Sequence, residues 1–439
     1  MLETMNAPVE HTAHGREQYT TSPEQLLEAT YGFVLAGGRG TRLKQLTEGR
    51  AKPAVPFAGK LRIIDFTLSN CVNSGITHVS VLTQYKSESL ASHIRHAWGG
   101  LHASEGVHVD VVSPRSSPGQ QKYSGTANAV FQNLDRVRAA KASFVLVLAG
   151  DHVYKMDYRR IIAEHIGHHA DATVACIEVP LAEASSYGVM RVDAHGRIRS
   201  FQEKPACPAA IPGRPDVALV SMGIYVFNAD FLRRQLDCDE RDPASGHDFG
   251  HDIIPNIISH RRVFAHDYSL SCVNPFEDRP YWRDVGTLDA YWQANMDLLR
   301  PVPELDLHDA AWPIRSMEYP SQLPHPVRSA AARGAPAVES LLSAGCRVEH
   351  ASVRHSVLFS KVEVDSGSEI ADSLLLPGVK AGRNVVVRRA IIDSDCVLPD
   401  GFTVGVDPAQ DRARFTVSEK GITLVTRAML GQPLHTLDA

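Results

Sequence analysis

Short apolar runs alternate with helix-like segments along the first 300 residues. The runs at 31–35 and 144–149 are too short for helices and apolar throughout, so they predict buried strands of a parallel sheet. Apolar residues three or four positions apart predict helices between strands, the first capped by Asp65 and ended by Gly75. Further strands are predicted at 78–83, 107–112 and 172–179, and helices at 65–75, 85–98 and 127–137. The pattern indicates an α/β domain, in which ligands bind beyond the carboxyl ends of the strands.

A six-residue period marks the last hundred residues. The aliphatic residues at this period are Leu358, Val364, Ile370 and Leu376 and, after a change of phase, Val379, Val385, Ile391 and Val397. Small and polar residues lie between them, which predicts a left-handed parallel β-helix. Prolines are frequent from 301 to 336 and predict an irregular linker. We therefore expect four parts: a mobile tail (1–29), an α/β domain (30–300), a linker (301–338) and a β-helix domain (339–439).

Composition excludes several classes of protein. A net charge of −5 over 439 residues argues against a nucleic-acid binder, which would carry a basic excess. No apolar run approaches the ~20 residues of a membrane span, and the first 29 residues lack the apolar core of a secretory signal. Seven scattered cysteines without a C-x-x-C pair suit reduced thiols. We expect a cytoplasmic protein that binds neither membrane nor nucleic acid.

A glycine-rich loop follows the first predicted strand. Its sequence, Gly37-Gly38-Arg39-Gly40-Thr41-Arg42, lets backbone N–H groups face a ligand without obstruction by Cβ atoms. Arg39, Arg42 and Lys52 concentrate positive charge nearby, which suits a polyphosphate. The loop is neither a Walker A motif nor a dinucleotide-binding loop, since the third glycine of the latter is replaced by Leu43.

The segments GGRGTRL (37–43) and RAKPA (50–54) resemble the signature of sugar-nucleotide pyrophosphorylases, and within them the bacterial enzymes that make ADP-glucose. The resemblance extends from Tyr31 to near the C-terminus. It implies a Rossmann-like, mostly parallel nucleotidyltransferase domain followed by the β-helix. It also implies the Mg²⁺-dependent reaction of ATP with α-D-glucose 1-phosphate to give ADP-glucose and diphosphate. Glycogen synthesis, a small-molecule allosteric effector and a homotetramer are further expectations from the family.

The resemblance assigns roles to particular residues. Asp151, in LAGDH, and Asp284, in WRDVGT, would bind Mg²⁺ and act in catalysis, while Arg42 and Lys52, with Arg39 as a weaker candidate, would stabilise the leaving diphosphate. The residues implied for glucose 1-phosphate are Tyr123, Gly188, Glu203, Lys204 and Ser221. Those implied for the nucleotide are Leu35, Gly37, Gly38, Gly40, Thr41, Gln84, Gly125 and Thr126. Without the resemblance, Asp151 and Asp284 are equally compatible with helix caps, and Glu203-Lys204 with a solvated turn.

Histidine-rich segments invite metal-site interpretations. His247 and His251 are four residues apart, but no third ligand accompanies them, so we predict a structural role for 247–252. The triplet His165, His168 and His169 is predicted to lie on a solvated helix face.

The chain departs from the family pattern at three places. Gly49 stands where some members carry a basic residue that contacts the effector, which leaves Arg50, Arg388 and Arg389 as weak effector candidates. Asn128 stands where aspartate is usual, and the loop 113–122, near the expected base site, is poorly matched.

Three alternatives to the leading hypothesis remain open. One is a pyrophosphorylase for another nucleotide or sugar, and another is a catalytically silent regulatory subunit that binds effectors. The third treats the β-helix as an acyltransferase domain with His350 or His355 as the base.

Overall fold

A nine-stranded sheet forms the centre of the first domain, in a computed structural model that describes residues 27–38, 40–99, 106–114, 122–273, 280–316, 325–327 and 337–433. The strands of this domain are β1 (Thr30–Leu35), β2 (Pro56–Phe57), β3 (Leu61–Arg62), β4 (His78–Leu82), β5 (His108–Val112), β6 (Phe144–Ala149), β7 (His152–Tyr154), β8 (Ala172–Pro180), β9 (Gly188–Val192), β10 (Ile198–Glu203), β11 (Val217–Asn228), β12 (Val263–Asp267) and β13 (Trp282–Asp284). The predicted mobile tail falls mostly outside the described residues.

The sheet runs in the order β10-β9-β11-β6-β1-β4-β5, and β8 pairs with both β11 and β12. Strands β5, β4, β1 and β6 are parallel neighbours, which confirms the predicted parallel core. Strand β11 is antiparallel to β6, β8 and β9 and extends the sheet beyond that core. Two ribbons, β2 with β3 and β7 with β13, lie outside it.

Helices connect these strands. They are α1 (Ile63–Asn73), α2 (Ser87–Trp98), α3 (Thr126–Phe131), α4 (Leu134–Ala139), α5 (Tyr158–Gly167), α6 (Ala229–Asp239), α7 (Ile254–Ile257) and α8 (Leu288–Met296), with α9 (Pro408–Arg414) in the second domain. Short 3-10 turns span Thr41–Thr47, Lys52–Ala54, Leu181–Ser186, Tyr268–Leu270 and Asp297–Leu299, and a π turn spans Phe249–Ile253. No helix in the part of the chain that the structure describes is both long and apolar enough to span a bilayer.

The predicted N-cap of α1 is wrong. Arg62 is the N-cap, and Asp65 is the third helical residue, where its Oδ2 accepts the Arg62 N–H at 2.8 Å. Its Oδ1 accepts from His93 Nε2 at 2.7 Å and from Trp98 Nε1 at 2.8 Å. The carboxylate therefore joins α1 to α2 in the core, while Gly75, at φ +83°, follows the helix as predicted.

The predicted solvated face of α5 is wrong for His165. This side chain is buried, with Nδ1 2.8 Å from Thr173 Oγ1, because it follows Ile161 and Ile162 by four and three residues on the core-facing side. Burial lowers the pKa of His165 to about 4. His168 and His169 are exposed as predicted, but they lie just beyond the last residue of α5.

The segment 301–316 is irregular but firmly attached to the first domain. The buried ammonium of Lys155 lies 2.7 Å from Asp309 Oδ2, and Trp312 donates from Nε1 to Asn70 Oδ1 at 3.0 Å. These contacts hold the segment against α1 and the end of β7, so it forms a strap over the domain. The residues 317–324 and 328–336 of the predicted linker lie outside the described residues, and its boundaries stay a prediction.

Three sheets, whose strands are parallel except for one antiparallel pair at each end of the largest sheet, wind into a β-helix in the second domain. Its strands are β14 (His325–Val327), β15 (Ala337–Val338), β16 (Ser340–Leu342), β17 (Arg347–Val348), β18 (Ser352–Arg354), β19 (Val357–Leu358), β20 (Glu363–Val364), β21 (Glu369–Ala371), β22 (Leu374–Leu375), β23 (Lys380–Ala381), β24 (Val386–Arg388), β25 (Ala390–Ile392), β26 (Val397–Leu398), β27 (Thr403–Val404), β28 (Thr416–Val417) and β29 (Thr423–Val425). Val353, Ile370 and Val387 stack in register, one full coil apart.

The six-residue repeat places most of its aliphatic residues inside the coil. Leu358, Val364, Ile370, Val379 and Val385 are buried in the interior of the β-helix. Ser356 and Ser373, bonded between successive coils, are 17 residues apart, so a coil is one residue short of three repeats and the strict period slips at the corners.

Because the period shifts at the corners, three residues of the six-residue repeat lie outside the interior of the coil. Leu376 and Ile391 face the first domain instead of the interior of the coil. Val397, the last residue of the repeat, is 49% exposed, while its neighbour Leu398 points inward.

The β-helix packs on the first domain through an apolar cluster and a few polar contacts. Leu341, Val357 and Leu374 of the coil share one core with Phe57 and Tyr291. At the edge of this core, Arg50 Nη2 lies 2.9 Å from Asp393 Oδ1 and 3.2 Å from Oδ2. Burial raises the pKa of Asp393 although Arg50 opposes the shift, so the carboxylate depends on this partner for its charge.

We expect Arg50→Gln to lower the free energy of unfolding by about 2 kcal/mol, since it leaves Asp393 buried without a counter-ion. Urea unfolding followed by near-ultraviolet circular dichroism measures the change. Asp393→Asn in the Arg50→Gln background removes the unpaired charge and should recover part of the loss. Equal unfolding midpoints for Arg50→Gln and the wild type would contradict the assignment.

Candidate active site

A cavity of about 530 Å³ opens at the carboxyl ends of β1 and β6. The glycine-rich loop leaves β1 there, and Asp151 follows β6 directly after Gly150. The sequence-predicted residues that line the cavity are Leu35, Gly37, Gly38, Gly40, Lys52, Gln84, Tyr123, Gly125, Thr126, Asp151, Glu203 and Lys204. Those that do not line it are Thr41, Arg42, Gly188, Ser221 and Asp284, and Arg39 lies outside the described residues.

The two acidic candidates meet through the ribbon of β7 and β13. Asp284 lies opposite His152 in this antiparallel pair, which brings it beside Asp151 although 133 positions of sequence separate the two. Lys52 lies between them, with Nζ 3.0 Å from Asp151 Oδ2 and 2.6 Å from Asp284 Oδ1. Arg42 Nη2 is 3.4 Å from Asp284 Oδ2. Asp284 and Arg42 therefore belong to the site, although they lie just outside the cavity wall.

The charges of this cluster support one another. Burial on its own would raise the pKa of Asp151, but attraction to Lys52 and His152 lowers it to about 2. The same balance lowers the pKa of Asp284. Burial would lower the pKa of Lys52, but the two carboxylates raise it above its ordinary value. All three side chains are therefore charged at neutral pH.

The donor set of this cluster fits a divalent cation. One ligand atom from each of Asp151, His152 and Asp284 lies within 4.8 Å of the others. Carboxylate oxygens are the ligands that Mg²⁺ prefers, and it commonly binds through one or two carboxylates together with substrate phosphates. His152, which also packs edge-to-face on Trp282, was not predicted from the sequence as part of the cluster.

Glu203 and Lys204 lie at the end of β10, across the cavity. Lys204 adopts φ +45°, and its Nζ is 2.5 Å from Glu203 Oε1. Gly188 supports this pair from behind, since a Cβ there would lie 2.4 Å from Phe201 Cζ and 2.9 Å from Glu203 Oε2. Ser221 stabilises the bulge of β11, because its Oγ accepts the Gly223 N–H at 3.1 Å.

The opposite wall is formed by the loops after β1, β4 and β5. Gly40 has φ +62°, a conformation that favours glycine, and a Cβ there would make a tight contact of 3.2 Å with the Lys52 Cβ. Gln84 Oε1 accepts the Tyr123 N–H at 2.5 Å and fixes the start of the loop that leads into α3. Residues 115–121 of the poorly matched loop lie outside the described residues.

The segment 247–252 contributes to the cavity wall, beyond its predicted structural role. His247 and His251 pair with Asp239 and Asp252 and do not meet as metal ligands. Asp248 and Gly250, however, line the cavity. Asp248 Oδ2 accepts from Thr126 Oγ1 at 2.9 Å, a contact across 122 residues of sequence, while Oδ1 caps the π turn. Only the local capping pattern is visible in the sequence.

The remaining candidates lie away from the cavity. Besides the Arg50–Asp393 pair, Arg388 contacts Glu369 at 3.2 Å, and Arg389 donates to the Lys420 carbonyl at 3.0 Å. Asn128 donates to Glu240 Oε2 at 2.9 Å, so a neutral amide there avoids a second carboxylate beside Glu240. The acyltransferase candidates belong to the coil, where His355 pairs with Asp372 at 2.6 Å and His350 is exposed.

Comparison with known proteins places this architecture in a family. The family described as "Nucleotidyl transferase" matches residues 31–300, and that described as "GlmU-like, C-terminal hexapeptide" matches residues 324–425. The second match agrees with the predicted left-handed β-helix.

Curated relatives match nearly the whole chain. "Glucose-1-phosphate adenylyltransferase" of Nitrosospira multiformis is 52% identical over 94% of this chain and 97% of its own length. The proteins of the same name from Methylobacillus flagellatus and Dechloromonas aromatica are each 53% identical over 93% of this chain and cover 96% and 93% of their own lengths. The chain therefore belongs to the glucose-1-phosphate adenylyltransferase family of nucleotidyltransferases.

Proposed function

We propose that the protein transfers the adenylyl group of ATP to glucose 1-phosphate, forming ADP-glucose and releasing diphosphate. The observation that carries the proposal is the cluster of Lys52, Asp151 and Asp284 at a cavity whose far side presents Glu203 and Lys204. The lysine and the two carboxylates thus face a second charged pair, Glu203 and Lys204, whose lysine can bind the phosphate of a sugar phosphate. The names of the relatives support the choice of both substrates.

The chemistry follows from the charge of the substrates. A sugar phosphate carries roughly −1.5 to −2 charge at pH 7, so it is a nucleophile without a general base. The difficulty is its approach to a negatively charged α-phosphate, which requires charge neutralisation and in-line positioning. Asp151 and Asp284 would hold Mg²⁺, which neutralises phosphate charge when bound. Lys52 and Arg42 would stabilise the leaving diphosphate, and the glycine loop would donate N–H groups to it.

The sugar phosphate would be placed by the cavity wall at the end of β10. Lys204 would bind its phosphate, and Glu203 would accept hydrogen bonds from sugar hydroxyls. Gly188 and Ser221 would act by keeping the backbone of this wall in position, while Tyr123 closes the cavity at the start of the loop before α3.

Diphosphate release tests the proposal directly. The purified protein is mixed with Mg²⁺, glucose 1-phosphate and either ATP, GTP, UTP or dTTP. We expect release with ATP, formation of ADP-glucose, and loss of both on addition of EDTA. Release with another nucleotide alone would support the related-pyrophosphorylase alternative. No release with any nucleotide, even with sugar phosphates added as effectors, would favour the silent regulatory subunit, against which the intact charged cluster already argues.

Regulation and assembly are part of the same proposal. We expect a homotetramer in the cytoplasm that serves glycogen synthesis and responds to a small-molecule effector. Arg50, Arg388 and Arg389 are the candidate effector ligands, although each already has a partner on or beside the β-helix. Light scattering of the purified protein and diphosphate release with a panel of sugar phosphates test these two points.

Gly250→Ala should raise the KM for glucose 1-phosphate about tenfold. The added Cβ would lie 2.5 Å from Glu203 Oε2, so the carboxylate must move away from the sugar hydroxyls, a loss comparable to one hydrogen bond of ~1.5 kcal/mol. Gly167→Ala is the matched control, because nothing lies within 4 Å of its added Cβ. An unchanged KM in Gly250→Ala would show that Glu203 does not bind the sugar.

A further inference from the structure

Every carboxylate oxygen of the acidic pair has a cationic or ring-nitrogen neighbour. Lys52 Nζ is shared by Asp151 Oδ2 at 3.0 Å and Asp284 Oδ1 at 2.6 Å. Asp284 Oδ2 lies 3.4 Å from Arg42 Nη2, and Asp151 Oδ1 lies 3.6 Å from His152 Nε2. A cation held between Asp151 and Asp284 would therefore meet the Lys52 ammonium, which already lies between the two carboxylates.

The two cations cannot share this position. Mg²⁺ binds oxygen at about 2.0–2.1 Å, closer than the Lys52 nitrogen stands, and needs several ligands around it. Two positive charges in direct contact within a largely buried site repel strongly. The Lys52 side chain is 6% exposed and that of Asp284 is 9% exposed, whereas that of Asp151 is 36% exposed, so solvent screens this repulsion only in part.

We propose that Lys52 and the divalent cation compete for Asp151 and Asp284, and that the nucleotide phosphates resolve the competition by drawing the Lys52 ammonium towards themselves. This inference rests on the proposed function, because it takes the two carboxylates as the metal site. Lys52 is then the internal counter-ion of the acidic pair until substrate binds, and a ligand of the phosphates afterwards.

The surroundings of Lys52 permit such an exchange. Its backbone lies in the short turn Lys52–Ala54, whose second residue is the rigid Pro53. Its side chain lines the cavity together with Gly37, Gly38 and Gly40, the loop expected to cradle phosphates. The ammonium and the loop thus line the same cavity, and we expect rotation of the Lys52 side chain to carry the ammonium from carboxylate to phosphate.

A thermodynamic consequence follows. If phosphates remove the competitor of the metal, nucleotide must raise metal affinity, and metal must raise nucleotide affinity by the same factor. In the wild type, metal binding without nucleotide should be weak. Neutralising Lys52 should strengthen metal binding in the absence of nucleotide and reduce the factor by which nucleotide raises metal affinity.

Mn²⁺ binding measured by electron paramagnetic resonance tests the inference without any turnover. We expect Lys52→Met to bind Mn²⁺ at least about tenfold more tightly than the wild type when nucleotide is absent. Lys52→Arg keeps the charge and should remain as weak as the wild type. Asp284→Asn in the Lys52→Met background should abolish the gain, which would show that the ion binds the acidic pair.

The temperature of thermal unfolding (Tm) is measured as well, because it shows whether the Lys52→Met variant is folded. Lys52→Met should unfold at a lower temperature in EDTA, because its carboxylates lack a counter-ion, and Mn²⁺ should restore the wild-type value. A Mn²⁺ affinity that is no higher in Lys52→Met than in the wild type, together with a Tm of Lys52→Met that Mn²⁺ does not raise, would overturn the inference. Diphosphate release by the wild type in the same preparation shows whether the proposed function survives that result.

Discussion

Asp151→Asn is expected to lower kcat for diphosphate release about a thousandfold, the scale set by the loss of one preorganised electrostatic contact to the transition state. The pKa of about 2 keeps Asp151 ionised throughout the neutral range, so the substitution removes a full negative charge from the proposed Mg²⁺ site. The amide has nearly the same size, which keeps the packing around Gly150 and His152. Initial rates at saturating ATP and glucose 1-phosphate measure the effect.

Asp365→Asn is the matched control for this substitution. It makes the same chemical change at an exposed position of the β-helix, where the carboxylate lies 3.8 Å from Arg347. We expect wild-type kcat from this variant. A kcat for Asp151→Asn within about tenfold of the wild type, with a normal circular dichroism spectrum, would remove Asp151 from the catalytic machinery.

Lys204→Gln is expected to raise the KM for glucose 1-phosphate about a hundredfold and to leave the KM for ATP within about threefold of the wild type. A charge-assisted hydrogen bond contributes ~1.5–3 kcal/mol, and each ~1.4 kcal/mol corresponds to a factor of ten. The side chain is 63% exposed and reaches into the cavity, where Glu203 is its partner. The left-handed backbone at Lys204 is consistent with a residue held in place for function.

Lys380→Gln provides the comparison. Lys380 is 58% exposed and also pairs with a glutamate, Glu363, but on the β-helix. Both kinetic constants should stay at their wild-type values in this variant. Equal increases in both KM values for Lys204→Gln would indicate damage to the whole cavity and would contradict a specific role in binding the sugar phosphate.

The sequence predicted the parts of the fold that depend on local pattern. The buried strands at 31–35 and 144–149 are uniformly apolar, and both lie at the centre of the sheet as β1 and β6. The six-residue repeat predicted the β-helix, but it missed the exposure of Val397, because the corners between strands make each coil shorter than three whole repeats. The spacing of His165 from Ile161 indicates its core position, but the polarity of histidine fits a solvated face equally well.

Only the site residues that belong to a recognised motif could be predicted from the sequence. Lys52 and Asp284 are 232 residues apart, and no pattern in either segment shows that they touch. His152 and Asp248 were missed because their local roles, a strand residue and a helix cap, fully explain their sequence context. Contacts that depend on the antiparallel ribbon of β7 and β13 arise only from the tertiary fold.

The short repeat of the β-helix has a consequence for how the chain folds. Most in-register contacts in its parallel sheets join residues one coil apart, so this domain can assemble coil by coil, as other repeat architectures do. The first domain must instead close a loop of 232 residues to bring Lys52 to Asp284. Low contact order favours rapid folding and long loop closure slows it. Contact order therefore predicts that the β-helix forms before the first domain completes its catalytic cluster, the reverse of their order along the chain.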